Sequence, residues 1–322
     1  MKKFIKDLKV GENLESVYLL KRKQMQKTKE NKPYIRLTLS DNSGDIEAMV
    51  WDFAEEIDKR IDSGRAVFVK AFVDQWRDNI QLKIDDIRSA SFEEYKIEDL
   101  LRRIDNTEEL FEKVKGYLET ISDKWLRILA NRFLEDTAFI SKFKQSPGAQ
   151  SWHNAYIGGL LEHTYEVMLI VDKVCDLCQE ANRDMCLIGA FLHDSGKILE
   201  IDPTTFEHTL QGGLIGHLSL GFELLSNKIS QIEGFPLDSA LYLKHIILSH
   251  HGEYQQQSPV LPKTLEATIV YHADELVSQT NAVKELINAQ SSIQKVWSNY
   301  VTIKNRKYLL TRPKENSKII DS

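Results

Sequence analysis

The sequence predicts an α+β multidomain protein, a small five-stranded closed β-barrel followed by a helical half, and three observations carry that reading. Apolar residues alternate with polar ones up to about residue 90. From Ile97 onward they recur every three to four positions. All nine histidines fall between His153 and His272. Imidazoles that tune solubility or fill gaps would scatter along the chain, whereas a divalent ion needs several neutral nitrogens and ionised oxygens at one point.

The strand signals come first in the chain. Ile35, Leu37 and Leu39 alternate with polar neighbours, Asp41-Asn42-Ser43-Gly44 supplies a turn, and Ile46, Ala48 and Val50 alternate again up to Trp51. That is a β-hairpin. A short helical stretch from Ala54 to Ile61 follows, then period-two runs at Val67, Val69, Ala71, Val73 and at Ile80, Leu82, Ile84. Strands of this length with one interposed helix close into a small barrel, assigned to residues 1–92. Apolar spacing at Leu100, Leu101, Ile104, then Phe111, Val114, Leu118, then Ile128, Leu129, Phe133 makes 93–150 a helical linker region, broken by Ser146-Pro147-Gly148. The metal-binding half takes 151–300, with helical spacing to about Tyr300, and a basic tail takes 301–322.

At 322 residues, with 42% hydrophobic and 28% charged content, the chain can build two cores. No apolar run approaches the roughly 18 residues that span a bilayer, so no membrane partner is expected. The start Met1-Lys2-Lys3-Phe4-Ile5-Lys6 is unlike a secretory signal, and a cytoplasmic location is expected. Cys175, Cys178 and Cys186 lack the second pair a zinc site needs and are expected as buried thiols. Net charge is −6, but it is unevenly spread. Residues 153–275 hold six Lys/Arg against 17 Asp/Glu, while Lys21 to Lys32 carries six cations and one anion, and the tail carries Lys304, Arg306, Lys307, Arg312, Lys314 and Lys318. Two basic arms beside an acidic metal-binding half would draw a polyanion; the alternative is solvated, mobile surface.

The histidine series reads Glu-His163-Thr, Leu-His193-Asp194-Ser-Gly-Lys197, Gly-His217, Ser-His250-His251-Gly and Tyr-His272-Ala-Asp274. Helical neighbours such as His193 and Asp194 diverge by about 100°. Near a helix end they either reach one metal or hold one each of two. In order and spacing, His163, the His193-Asp194 doublet and Asp274 resemble the four-ligand signature of the HD-domain metal-dependent phosphohydrolases, which are all-helical. His217 and His250 resemble the six-ligand version. The resemblance implies two divalent ions per chain, held by His163, His193, Asp194, His217, His250 and Asp274. Mixed nitrogen and carboxylate donors suit manganese, iron, cobalt or zinc. Such ions make hydroxide available near neutral pH. Asp194 and Lys197 are the catalytic candidates; Lys197 either reaches the phosphate or is a helix-end lysine.

The hairpin from Tyr34 to Trp51 resembles that of nucleic-acid-binding OB-folds, which hold single strands by aromatic stacking and a cationic groove. Arg36, Trp51, Phe72 and Trp76 are its candidate contacts, although Trp51 equally suits a barrel plug. The order barrel, helices, metal half, together with Trp152-His153 to His163-Thr164 and Leu248 to Gly252, resembles the YhaM-type 3′-5′ exoribonuclease family from about Tyr18 to Tyr308. That resemblance implies removal of nucleotides from the 3′ end of single-stranded RNA, often also DNA, with manganese or a similar ion. His153 and His251 are the substrate-binding candidates, while His208, His245 and His272 read as structural. Two other readings compete: a phosphohydrolase of free or signalling nucleotides with a regulatory barrel, and a binding protein with a structural metal. Homo-oligomerisation is left open.

Overall fold

A computed structural model describes residues 2–76, 79–150, 154, 156–290, 296–298 and 306–310. Strands β1 (Asn13–Lys27), β2 (Pro33–Asp41), β3 (Gly44–Val50), β4 (Ala66–Trp76) and β5 (Asn79–Ser89) close into a barrel in the order β1-β2-β3-β5-β4, with helix α1 (Ala54–Asp58) after β3. Alternation decides the faces: Ile35, Leu37 and Leu39 of β2, with Ile46, Ala48 and Val50 of β3, point into the barrel core. The expected turn forms, with Asp41 Oδ1 accepting from Ser43 N at 2.8 Å. Closure depends on β1. Its first half pairs with β4 and its second with β2, and a register shift between Leu20 and Arg22 bends it from one partner to the other.

Strand β1 left no clear period in the sequence, and the structure gives the reason. Val17 and Leu19 face outward yet are buried, because they pack with Ala66 against Leu100, Leu101, Ile201 and Phe206 of the helical half. A strand covered on both faces shows a continuous apolar run instead of alternation. The basic segment from Lys21 is therefore not a mobile arm through its length. Lys21 to Lys27 completes β1, and Lys23 is tied down, its Nζ donating to the Ile61 carbonyl at 2.7 Å.

Helices build the rest: α2 (Ile97–Leu100), α3 (Thr107–Glu119), α4 (Lys124–Leu134), α5 (Thr137–Gln145), α6 (Gly159–Leu177), α7 (Arg183–Leu192), α8 (Lys197–Glu200), α9 (Leu210–Ile215), α10 (His217–Ser230), α11 (Leu237–Ser249) and α12 (Leu265–Gln290). Asp123, Asp136 and Asn182 cap α4, α5 and α7 by accepting from first-turn amides. The region expected as a linker shares one core with the metal-binding half: Phe133, Phe139 and Phe143 stack edge-on around Phe191 of α7. Cys175 and Cys186 are buried free thiols, whereas Cys178, at the end of α6, is only half-buried. Among the described residues no helix is long and apolar enough to cross a membrane.

Leu19→Ala should remove about 2–5 kcal/mol from the contact between barrel and helices. Thermal unfolding is the check: the variant should melt earlier, with the barrel leaving first. An unshifted single transition would mean the apolar seam does not couple the halves.

Candidate metal centre and nucleic-acid interface

The proposed donors are carried by helix ends that converge on one buried point. His193 is the C-cap of α7 and Asp194 follows it; His217 opens α10; His250 is the C-cap of α11. His163 on α6 and Asp274 on α12 stand inside their helices. Gly196 permits the convergence, since a Cβ there would lie 2.0 Å from the His217 carbonyl oxygen. His163, His193, Asp194 and His250 are each at most 2% exposed.

Asp194 is central, and its two oxygens face two different groups. Oδ2 stands 3.3 Å from His193 Nε2 and 3.5 Å from His163 Nε2, which in turn lies 3.0 Å from Asp274 Oδ1. Oδ1 stands 3.4 Å from His250 Nε2 and 3.5 Å from His217 Nε2. One carboxylate thus spans two clusters of potential ligands, His163, His193 and Asp274 on one side and His217, His250 and His251 on the other.

His251, a substrate-binding candidate from the sequence, stands beside the candidate donor His217. Helix α11 ends at Ser249, so the divergence between helical neighbours does not apply, and His251 Nε2 comes within 3.1 Å of His217 Nε2. Sequence reasoning also missed what orients the rings. The Nδ1 atoms of His193, His250 and His251 lie 2.7, 2.8 and 2.8 Å from the carbonyl oxygens of Ala190, Ile247 and Gln256. A carbonyl only accepts, so each Nδ1 carries the proton. His217 Nδ1 faces the Glu200 carboxylate at 3.0 Å in the same way. Backbone carbonyls leave no mark in a sequence, and Glu200 belongs to no motif.

This wiring tests whether the residues fit a metal. With Nδ1 protonated on both, His217 and His251 turn bare Nε2 lone pairs towards each other. Asp194 Oδ1 and His250 Nε2 are buried and make no hydrogen bond. Such an arrangement is repulsive unless a cation sits between the donors, and fixed tautomers of this kind prepare imidazoles for metal ligation. Electrostatics agree. Burial pushes His250 down to about 3 and lowers His251, keeping both neutral, as ligands must be. Burial opposes charge on Asp194, yet Lys197 and His193 hold its carboxyl well below the usual range. Burial also opposes charge on His193, but the Asp194 and Asp274 carboxylates outweigh it and raise that imidazole. The pocket demands positive charge.

Lys197 Nζ is 2.6 Å from Asp194 Oδ2, and the carboxylates of Asp194, Asp274 and Glu200 keep it protonated against its burial. Its side chain lines a cleft of about 550 Å³ over the centre, with Glu200, His208, His217, His251 and Gln257. His153 lies outside the described residues. His245 Nε2 accepts from the Lys263 amide at 2.9 Å, a structural role, and His272 stacks on Tyr271 at the surface.

All four barrel candidates lie on the outside of the barrel. Trp51 does not plug the barrel; it is 45% exposed and stacks on Tyr34 at 4.8 Å, a partner the sequence did not reveal. Arg36 lies on the same outer face, between Gln24 of β1 and Met49 of β3, and pairs with Glu47. Phe72 and Trp76 sit on β4; Phe72 is opposite Lys83 of β5, which pairs with Met49, so it shares a cross-strand row with Arg36, whereas Trp76 is opposite Asn79 at the far end of the strand.

Comparison with known proteins matches these parts. The family described as HD domain covers residues 160–278, and the OB-fold nucleic acid binding domain family covers residues 20–90. The chain is 29% identical over 290 residues to a protein of Listeria innocua serovar 6a named 3′-5′ exoribonuclease YhaM, spanning 89% of this chain and 92% of that relative. A Listeria monocytogenes serotype 4b protein of the same name matches at the same identity and coverage. Among solved structures, the second OB-fold domain of replication protein A from Methanococcus maripaludis is similar at 20% identity, covering 28% of this chain and 96% of that one with a TM-score of 0.24.

Two variants probe the donor wiring. His251→Ala should lower bound metal as much as His217→Ala does, read by elemental analysis of the purified protein. Unchanged metal content would leave His251 as a substrate contact. Glu200→Gln, which disturbs only the group orienting His217, should cost roughly 10–100-fold in metal affinity or activity.

Proposed function

We propose that this homologue of the YhaM exoribonucleases, an OB-type barrel joined to an HD domain, is a metal-dependent 3′-5′ exonuclease. Its substrate is single-stranded RNA, with single-stranded DNA as a second substrate, and its products are nucleoside monophosphates. One observation carries the reading: a buried carboxylate spans two histidine groups, and His217 and His251 of one group line a cleft together with Lys197, in a chain whose barrel carries an exposed aromatic stack. An HD domain implies divalent metal dependence. We assign two ions, manganese first among the candidates, one to His163, His193, Asp194 and Asp274, the other to Asp194, His217, His250 and His251.

Divalent cations bound there supply a nucleophile near neutral pH and offset charge on the phosphate. The chain supplies the rest. The Nδ1 hydrogen bonds of His193, His217, His250 and His251 fix the donors before substrate arrives, so no reorganisation is needed during the reaction. Lys197, held protonated at the cleft wall, contributes a cation towards the phosphate oxygens. The exposed ring of Trp51 offers a stacking surface for a base regardless of its identity. A phosphohydrolase of free nucleotides would leave that surface without use.

With manganese and a 5′-labelled single-stranded RNA, the protein should produce a ladder shortening one nucleotide at a time, and Asp194→Asn should produce none. Hydrolysis of free nucleotides with intact RNA would favour the phosphohydrolase reading.

A further inference from the structure

We propose that the seam between the two halves is a second binding site for the phosphodiester chain, formed by Arg22 and Lys21 of β1 and by Gln150 and His208. It sets a fixed number of nucleotides between the 3′ end and the Tyr34–Trp51 stack. The proposal rests on the exonuclease reading and adds a path and a register to it.

Two cavities meet at this seam. The cleft over the metal centre and a second cavity of about 570 Å³, walled by Lys21, Arg22 and Thr38 on one side and Thr205 and His208 on the other, share Gln150 and His208. The second cavity leads onto the outer face of the barrel, where cross-strand rows run Arg22 opposite Thr38, Gln24 opposite Arg36 and Gln26 opposite Tyr34. The last row ends in the stack of Tyr34 on Trp51. From Thr38 to Tyr34 the strand advances about 13 Å at about 3.3 Å per residue, a step that a few nucleotides cover.

The chemistry of the seam suits phosphates. Asp45 and Glu207 also line the cavity, and Asp45 engages Lys21 at 2.9 Å; Arg22 is exposed and makes no ion pair among the described residues, its Nε and Nη2 meeting only the neutral side-chain oxygen of Gln24. A phosphate that displaces this amide oxygen would take two parallel, charge-assisted hydrogen bonds from the guanidinium. Gln150 and His208 add polar groups from the facing wall. The apolar contact of Val17 and Leu19 with Phe206 lies beside the seam and keeps its walls at constant separation, which is what a register requires. Trp76, opposite Asn79 at the far end of β4, lies off this path.

The test uses the full chain loaded with manganese and single strands that carry a hydrolysis-resistant phosphorothioate at the 3′ end and one 2-aminopurine at successive positions. Fluorescence quenching should peak at one distance counted from the 3′ end, disappear in Trp51→Ala and persist in Trp76→Ala. Arg22→Glu should weaken binding about tenfold and reduce its salt slope by about one ion. On unmodified strands, the shortest product of the wild type should match that distance, and Trp51→Ala should release longer products. Quenching that is spread evenly, that follows the 5′ end, or that is lost in Trp76→Ala overturns the path. Failure of the wild type to shorten any strand overturns the exonuclease reading itself; shortening without a register overturns the seam alone.

Discussion

The placement of one buried carboxylate organises this molecule. Asp194 is 2% exposed and must remain ionised, and an unpaired charge at that depth is prohibitively costly. It is tolerated because Lys197 and four imidazoles surround it. The helical architecture follows from that requirement. Helices α7, α10 and α11 start or stop at the centre, since a helix end lets adjacent residues face one point and an uninterrupted helix does not. Gly196 is the steric counterpart, where backbone meets backbone without room for a side chain.

The sequence made much of this legible. The six candidate donors stood in readable order because only a few residue types serve as ligands, and the structure brings them together; the β2–β3 hairpin was readable because one face is buried and the other is wet. What escaped was whatever tertiary contact rewrites. Strand β1 lost its alternation because the helical half buries its outer face. His251 escaped because the exact end of α11 decides where it points, and element ends are the least readable feature of a sequence. The Nδ1 acceptors are main-chain oxygens and carry no residue identity. Tyr34 opens the hairpin with nothing in the sequence to mark it as a ring partner, and only strand register brings it under Trp51.

The barrel and the helical half are joined more firmly than a tethered pair of modules. Val17, Leu19 and Ala66 bury against Leu100, Leu101, Ile201 and Phe206, and the latter two lie in the loop that carries the chain from α8 to α9. The same loop borders the metal cleft through His208. A strand held on the barrel would therefore reach the centre at a set angle instead of by diffusion of a loosely linked domain, with little contribution from linker entropy.

The ring-orienting hydrogen bonds have an evolutionary consequence. His193 and His250 are each steered by the carbonyl three residues earlier on their own helix, Ala190 and Ile247. Side-chain direction is thereby locked to the phase of α7 and α11. Inserting or deleting a single residue within either helix would rotate its donor by about 100° and carry it out of the cluster. Point substitutions on the outer faces leave that phase untouched. Among descendants of this sequence, length variation should accordingly collect in connections such as the one between α11 and α12, while α7 and α11 keep a fixed residue count even where their identities drift.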